Sequence, residues 1–494
     1  MQLKRVFKNL ISSVLVYGVL LVLNLIVSNV VLHTYGSEMN GLVSSVNQIF
    51  SYIAMLEAGI GTATINALYK PISDNDGENI QNVFSTSLRY FRRATVGYLL
   101  CTVAAALIWP LAIKTDIGYG AVVAVILLQG VSNALSFCFT STMTAYLSAS
   151  GQNYINTYFH TGITLLTYVL KLVICLLGWD YIAISVALVL VNLLKCVGYY
   201  LYRKVKCPNI AALKEAVNTM VLPQRNSLLI HEISGAIFAS TDVIIISIFC
   251  DLKAASVYSV YSIAVVACAG IISQVFGSLT YILGDAYSKR TDFVRVADCF
   301  NAMYIPSVFA VYTVVFLLLQ PFVSLYTSGM TDANYHDPFF PLLFVLIQLL
   351  SSCRIVDGAI IKIASHADKT IVRSIVESGI NILLSLVLIR FIGIHGVLLG
   401  TILALLYRTN DMILYTNKHI FQRSAWKEYR LHLLNFGLFA GCGAVGYFLN
   451  ITASSYMDLL IKAVVVFVAV IVVFFAVNFL INRKLFVALL TSRK

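Results

Sequence analysis

The chain has 494 residues, 59% of them hydrophobic and 11% charged, with a net charge of +12 and a mean hydropathy of +0.86. A soluble domain carries about 25% charged residues, so this chain lacks the polar surface to cover a water-facing globule; a soluble enzyme, a disordered protein and a nucleic-acid binder are excluded. The bilayer is the solvent that fits, and at about 20 apolar residues per crossing plus short loops the length holds about 14 crossings and no large soluble domain.

The first apolar run follows Lys4, Arg5 and Lys8 and covers residues 9–33. It is longer than the core of a secretion signal and has no small-residue cleavage site, so it is expected to be the first membrane helix. The remaining runs lie at 41–69, 88–113, 117–148, 153–178, 180–202, 222–250, 254–286, 296–326, 337–365, 369–391, 393–417, 430–452 and 456–482. The expected fold is all-α integral membrane. Between the sixth and seventh runs, Pro208 precedes Ala211–Met220, which could lie as a short interfacial helix. Outer connections are short, the longest near Thr327–His336.

Basic residues set the expected orientation. With the N-terminus in the cytoplasm, the inside segments hold 25 Lys and Arg, and the outside segments only Lys114, Lys253 and Arg390. This asymmetry obeys the positive-inside rule with an even number of helices and places both termini in the cytoplasm. The net charge is then mostly a topology signal, and no nucleic-acid partner is expected. The ten cysteines form no CxxC pair and lie mostly in apolar runs, which predicts packed thiols rather than a disulfide framework or a zinc site. No nucleotide-binding loop, nucleophile elbow or HExxH motif occurs. No cofactor, metal or catalytic residue is expected; transport would draw on an ion gradient (H+ or Na+), the membrane potential or consumption of product.

Tyr35–Ser45 after the first run and Phe249–Ser259 after the seventh are both short turns that open small-residue runs. Six crossings separate them, which suggests two like-oriented halves, as parallel-repeat transporters have.

Charges inside a bilayer cost about 2.5–3.5 kcal/mol each even on lenient scales. By residue count, three places lie near mid-membrane: Glu57; Arg354 with Asp357; and Arg408 with Asp411. The last two are i, i+3 pairs, so each Arg can meet its own Asp on one helix face. Two readings stand side by side, local neutralisation or a wet cavity whose guanidinium forks bind an anionic headgroup. Glu57 has no same-helix base and is protonated, paired across helices, or a proton or cation site. Asp242, after Thr241, reads the same way, whereas His231-Glu232 is expected to be wetted by the cytoplasm. Lys195, Lys362 and Lys462 lie near span ends and are expected to snorkel; Lys171 is the least comfortable and is a second cationic candidate. Gly59, Gly61, Gly393, Gly396 and Gly400 would let helices approach closely.

The stretch Glu57-Ala-Gly-Ile-Gly-Thr-Ala followed by Leu68-Tyr-Lys-Pro71 resembles the second-helix motif of bacterial polysaccharide transporters. These are the O-antigen, capsule and teichoic-type repeat-unit flippases of the multidrug/oligosaccharidyl-lipid/polysaccharide exporter superfamily. Thr241-Asp242 with Val257–Ser262 is similar to that group's helix 7–8 segment. Asn381, Ser385, Gly393, Gly396, Val397, Gly400, Thr401 and Arg408 resemble its helix 11–12 segment. The resemblance implies a six-helix bundle over residues 1–207, a second over 208–429 with its preceding linker, and a trailing helix pair and tail over 430–494. It further implies a V-shaped cavity, alternating access, and an undecaprenyl-diphosphate-linked oligosaccharide turned towards the outer leaflet of the bacterial cytoplasmic membrane. The matching motifs carry over Arg408 as a contact of the diphosphate and Glu57 and Asp242 as ion-coupling or gating groups; from their place in apolar runs rather than from the resemblance, Arg354 and Lys171 would join Arg408, and Asp357 and Asp411 would join the coupling or gating groups. Membrane lipids, a glycan polymerase and glycosyltransferases are the implied partners of a monomer. Relatives often place an Arg late in the first helix; here that helix offers Asn24 and Asn29 instead. The rival readings are a cation- or proton-coupled multidrug exporter of the same superfamily, a membrane glycan polymerase or acyltransferase, and an assembly scaffold. The short outer loops argue against a polymerase.

Overall fold

Long apolar runs in lipid have one local solution, the helix, because every backbone N–H and C=O must find a partner within its own segment. The computed structural model of the chain describes residues 2–57, 60–207, 241–288, 293–366, 368–481 and 483, and among these there is no β-strand. The helices in chain order are α1 (Gln2–Ile53), α2 (Ile60–Ser73), α3 (Gly77–Ala112), α4 (Tyr119–Phe139), α5 (Ser141–Ala149), α6 (Asn153–Leu176) and α7 (Tyr181–Lys206). Then come α8, described over 241–249, α9 (Leu252–Ser288), α10 (Phe293–Tyr326), α11 (Phe340–Cys353), α12 (Ile355–Ile363), α13 (Ile371–Ile392), α14 (Ile394–Tyr415), α15 (Trp426–Leu449) and α16 (Tyr456–Ile481). The chain is therefore an all-α integral membrane protein. Twelve stretches among the described residues are long and apolar enough to cross a bilayer.

The expected span boundaries need several revisions: α3 begins at Gly77 rather than 88, the run 117–148 is broken at Thr140 between α4 and α5, and the run 337–365 is broken at Arg354 between α11 and α12. Residues 41–69 do not form one uninterrupted helix. α1 continues to Ile53 after a break at Gly36 (φ 81°, ψ 173°), a 3-10 turn follows over Ala54–Glu57, and α2 restarts at Ile60. The φ at Gly36 is one that residues with a Cβ avoid, so a glycine is needed there. The proposed interfacial segment Ala211–Met220, His231-Glu232 and most of the run 222–250 lie outside the described residues.

By contacts the chain divides into two units, residues 26–256 and residues 1–25 with 257–494. In the 26–256 unit, α1, α3, α4 and Leu252 bury Leu42, Val46, Phe50, Tyr98, Trp109, Val122 and Ile126 together. Phe50 stacks on Tyr98 at 6.0 Å, and Phe137 meets the Tyr98 ring edge-on at 4.9 Å. A second cluster joins Phe84, Met143, Leu147, Ile155 and Tyr199. The start of α3 is fixed by Asp76, which accepts from the Asn79 backbone N–H at 3.0 Å; that hydrogen bond holds its carboxyl below the usual carboxylate range. The outward faces of α3 and α7 are apolar, with Leu100, Val103, Ile108, Leu111, Leu190, Leu194 and Val197 exposed. Water would not tolerate so large an apolar surface; lipid favours it.

In the other unit, Tyr261 stacks on Phe344 at 5.4 Å and donates its hydroxyl to Gln320 and to the Tyr335 carbonyl. α15 and α16 are joined by a reciprocal amide pair, Asn435 with Asn478, at 2.9 and 3.2 Å. α13 and α14 form an antiparallel hairpin that turns at Gly393 (φ 57°). Gly396 and Gly400 set its spacing. A Cβ on Gly396 would lie 2.4 Å from the Leu388 carbonyl carbon, and one on Gly400 would lie 2.7 Å from Ser385 Oγ. Helix association in lipid relies on this kind of close packing. Gly396→Ala is expected to cost about 1–3 kcal/mol, since the obstructing atoms are backbone. Thermal unfolding of the detergent-purified protein reads it; an unchanged midpoint would mean that the hairpin is looser than described. All ten cysteines are free thiols.

Candidate functional site

The α13–α14 hairpin carries a ladder of polar contacts along its inner face. Near the turn, Ser385 Oγ donates to the Val397 carbonyl and Asn381 Nδ2 donates to Thr401 Oγ1 at 2.8 Å. Further along, the same register brings Ser374 opposite Arg408 (3.1 Å) and Arg373 opposite Asp411 (2.5 Å). Arg408 reaches Asp411 on its own helix at 2.6 Å, the expected i, i+3 pair. Its Nε lies 3.5 Å from Glu377 Oε2 and has no hydrogen-bond acceptor. Glu377 also binds Arg354, which enters from the α11–α12 junction. The result is a five-membered chain, Arg354–Glu377–Arg408–Asp411–Arg373, built from three helical elements.

Among the described residues, three guanidiniums and two carboxylates make up this network. Its centre is buried and its ends are more exposed: the side chain of Arg408 is 3% exposed and that of Glu377 7%, against 21% for Arg354 and 36% for Arg373. The Arg373 guanidinium lies over the Tyr415 ring at 4.8 Å. The Tyr415 hydroxyl meets His366 Nδ1 at 3.2 Å, and Lys369 Nζ lies 3.1 Å from His366 Nε2. Burial, with the charges of Lys369 and His419, pushes the His366 pKa down, so its imidazole is neutral near pH 7 and can accept from Lys369. A cationic network with one unsatisfied buried N–H and two accessible arginine ends can bind an oxyanion by charge-assisted hydrogen bonds.

The sequence-derived candidates fall in several places. Arg354, Arg408 and Asp411 come together in this network. The expectation that Arg354 meets Asp357 on one helix face is corrected. The helix breaks at Arg354, between α11 and α12, and the guanidinium goes to Glu377 on α13. Asp357 is fully buried and faces Glu428 and Thr416 instead. Asp242 belongs to the 26–256 unit, buried next to Thr241, whose hydroxyl bonds that of Tyr52. Lys171 sits half-buried on α6 and makes no ion pair among the described residues. Glu57 ends the 3-10 turn before α2, and its side chain lies outside the described residues. Sequence reasoning did not single out Glu377, Arg373 or Ser374. Glu377 could have been found as the one acidic residue deep in the eleventh run. Among the described residues, no group of three or more His, Cys, Asp and Glu converges on a metal position.

The sequence matches no protein-family model and no curated protein. Solved structures do share the fold. An inward-facing multidrug resistance MATE family transporter of the MOP superfamily aligns with TM-score 0.63 and 16% identity, over 83% of this chain and 94% of that one. The lipid II flippase MurJ, in an inward closed conformation, aligns with TM-score 0.67 and 12% identity, over 94% of this chain and 98% of that one. A MOP superfamily transporter from Pyrococcus furiosus, described as having a binding pocket of reversed polarity, aligns with TM-score 0.57 and 14% identity, over 84% and 96%. The chain therefore has the fold of MOP superfamily transporters.

Proposed function

We propose that this protein is a non-enzymatic, multi-pass transporter of the bacterial cytoplasmic membrane. In this reading it turns an undecaprenyl-diphosphate-linked oligosaccharide, the repeat unit of a surface polysaccharide such as O-antigen or capsule, from the cytoplasmic to the outer leaflet by alternating access. The observation that carries the reading is the gathering of three guanidiniums, Arg354, Arg373 and Arg408, in one network within apolar helices. A diphosphate entering a low-dielectric path needs compensating cations, and guanidinium forks match its oxygens. The fold likeness to a lipid II flippase over most of both chains supports a lipid-linked cargo. The excess of basic residues on one side supports cytoplasmic termini. Membrane lipids, a glycan polymerase and glycosyltransferases are the partners this role would bring, and a monomer suffices for it.

A second reading, a proton- or cation-coupled multidrug exporter, is favoured by one feature. Asp242 is a buried carboxylate in the 26–256 unit beside the Tyr52–Thr241 hydroxyl pair, and a MATE transporter shares the fold. In that reading Asp242 and Glu57 would be the coupling acids.

The deciding experiment is leaflet-resolved accessibility of lipid-linked oligosaccharide in cells depleted of the protein. Accumulation on the cytoplasmic side, reversed by the wild-type chain, is the expected result. Normal outer-leaflet delivery would reject the flippase reading and lead to drug-efflux assays.

A further inference from the structure

The two halves of the chain repeat one another more closely in structure than in sequence. The succession α3 to α7 recurs as α10 to α14, and α7 packs on α4 and α6 as α14 packs on α11 and α13. The break at Thr140 between α4 and α5 answers the break at Arg354 between α11 and α12. These two residues are separated by as many positions as Tyr35 and Phe249, where the repeated turns begin. Gly178 and Gly393, the positive-φ glycines before α7 and α14, keep that separation to within one residue. In this register Lys195 takes the place of Arg408, each standing the same number of residues into its helix.

Lys195, expected to snorkel, instead turns its ammonium to α4, where Nζ donates to Ser136 Oγ at 3.1 Å. Behind that serine runs a chain of groups that are all engaged. Ser136 Oγ donates to Asn192 Oδ1 at 3.0 Å, and Asn192 Nδ2 donates to Ser132 Oγ at 2.6 Å. Asn192 Nδ2 and Ser132 Oγ both donate to the Leu188 carbonyl, each at 3.1 Å. The chain fixes the ammonium but brings it no negative charge. Arg408 has Asp411 and Glu377 beside it, whereas Lys195 pairs with no carboxylate among the described residues. An ammonium has three N–H donors, and Ser136 takes one.

We propose that Lys195, held by Ser136, is an anion subsite of the 26–256 unit, the repeat counterpart of Arg408, and takes a phosphate group. A charge kept among apolar helices is costly, and an anion is the group that offsets it. Lysine binds phosphate as a point charge, where arginine adds a planar fork. Arg408 shares its charge with two carboxylates, and Lys195 offers its whole charge to a ligand. The site deepens the reading of a diphosphate-bearing cargo and rests on it for the source of the phosphate.

The test is equilibrium binding of radiolabelled geranyl diphosphate to the full-length protein in phosphatidylcholine nanodiscs, with Arg408→Met as the background to weaken the counterpart site. Saturable binding should persist there. Lys195→Met should weaken it by about tenfold or more, the worth of one hydrogen bond to a charged group. Lys195→Gln can keep the contact with Ser136 but not the charge; it should weaken binding likewise and covers the case in which methionine upsets folding. Lys195→Arg keeps the charge and should retain binding. Lys462→Met, at a lysine paired with Asp458 at 2.9 Å, should bind as the background does. Competition separates the sources of the phosphate: displacement by pyrophosphate marks a site for the diphosphate group, and displacement by phosphatidylglycerol marks one for a lipid headgroup. Either carries the proposal. Unchanged binding in folded Lys195→Gln, or loss of all saturable binding on Arg408→Met alone, would overturn it. Both are read without translocation, so failure of this site and failure of the flippase reading are told apart.

Discussion

Glu377→Ala is expected to destabilise the protein by about 3–5 kcal/mol, the range seen when one partner of a buried ion pair is removed. Glu377 sits between two guanidiniums, and its loss leaves Arg354 without that carboxylate and Arg408 with Asp411 as its one remaining acid. Among the described residues the network is then left with three guanidiniums and one carboxylate, around a centre that is almost fully buried. The measurement is thermal or denaturant unfolding of the purified protein, scored with monodispersity in detergent. Adding Arg354→Met to Glu377→Ala should recover part of the loss, since the guanidinium that Glu377 held is removed with it. A destabilisation below about 1 kcal/mol would place Glu377 among solvated surface pairs and dissolve the buried network as described.

Arg408→Met separates charge from folding. Each carboxylate keeps an arginine, Glu377 with Arg354 and Asp411 with Arg373, while the buried cation at the centre of the network is removed. Methionine fills most of the space and adapts to irregular cavities. The variant is expected to reach the membrane in near-normal amounts and to lose translocation of a diphosphate-linked cargo by about 100-fold, within the range for removing one partner of a buried charge-assisted contact. Leaflet-resolved flipping per molecule of inserted protein reads this. Normal flipping would remove Arg408 from cargo recognition and leave it a packing element of the hairpin.

The helix pattern was largely legible in the sequence because a membrane span is local, whereas the breaks at Thr140 and Arg354 were not. About 20 apolar residues, a glycine at a turn and a basic cluster at one end can all be read without knowing any neighbour. The close approach at Gly396 and Gly400 was legible for the same reason. The site was legible only where it is local, as for Arg408 and Asp411, three residues apart on α14. The Arg354–Glu377 pair joins positions 23 residues apart, and nothing in linear order favours it over Arg354–Asp357. The break at Arg354 decides the matter, and no proline or glycine at that residue announces it. Glu428 escaped notice because it lies near a span end, where charged residues are ordinary.

The division of α1 has a consequence for the order in which the protein is built. Its first 25 residues belong with a unit whose remaining residues begin at 257. Their neighbours there include α9, where Tyr17 lies so close to Gly270 that a Cβ would collide with its hydroxyl, and α10, from which Tyr326 donates to the Leu25 carbonyl at 3.2 Å. At about 5–20 residues per second of synthesis, the first helix leaves the ribosome about 10–50 s before those partners exist. It must wait in the bilayer on its own backbone hydrogen bonds and apolar surface while residues 26–256 are completed. The earliest segment made is thus among the last to acquire its native neighbours, and assembly of that unit is gated by translation of the second half of the chain.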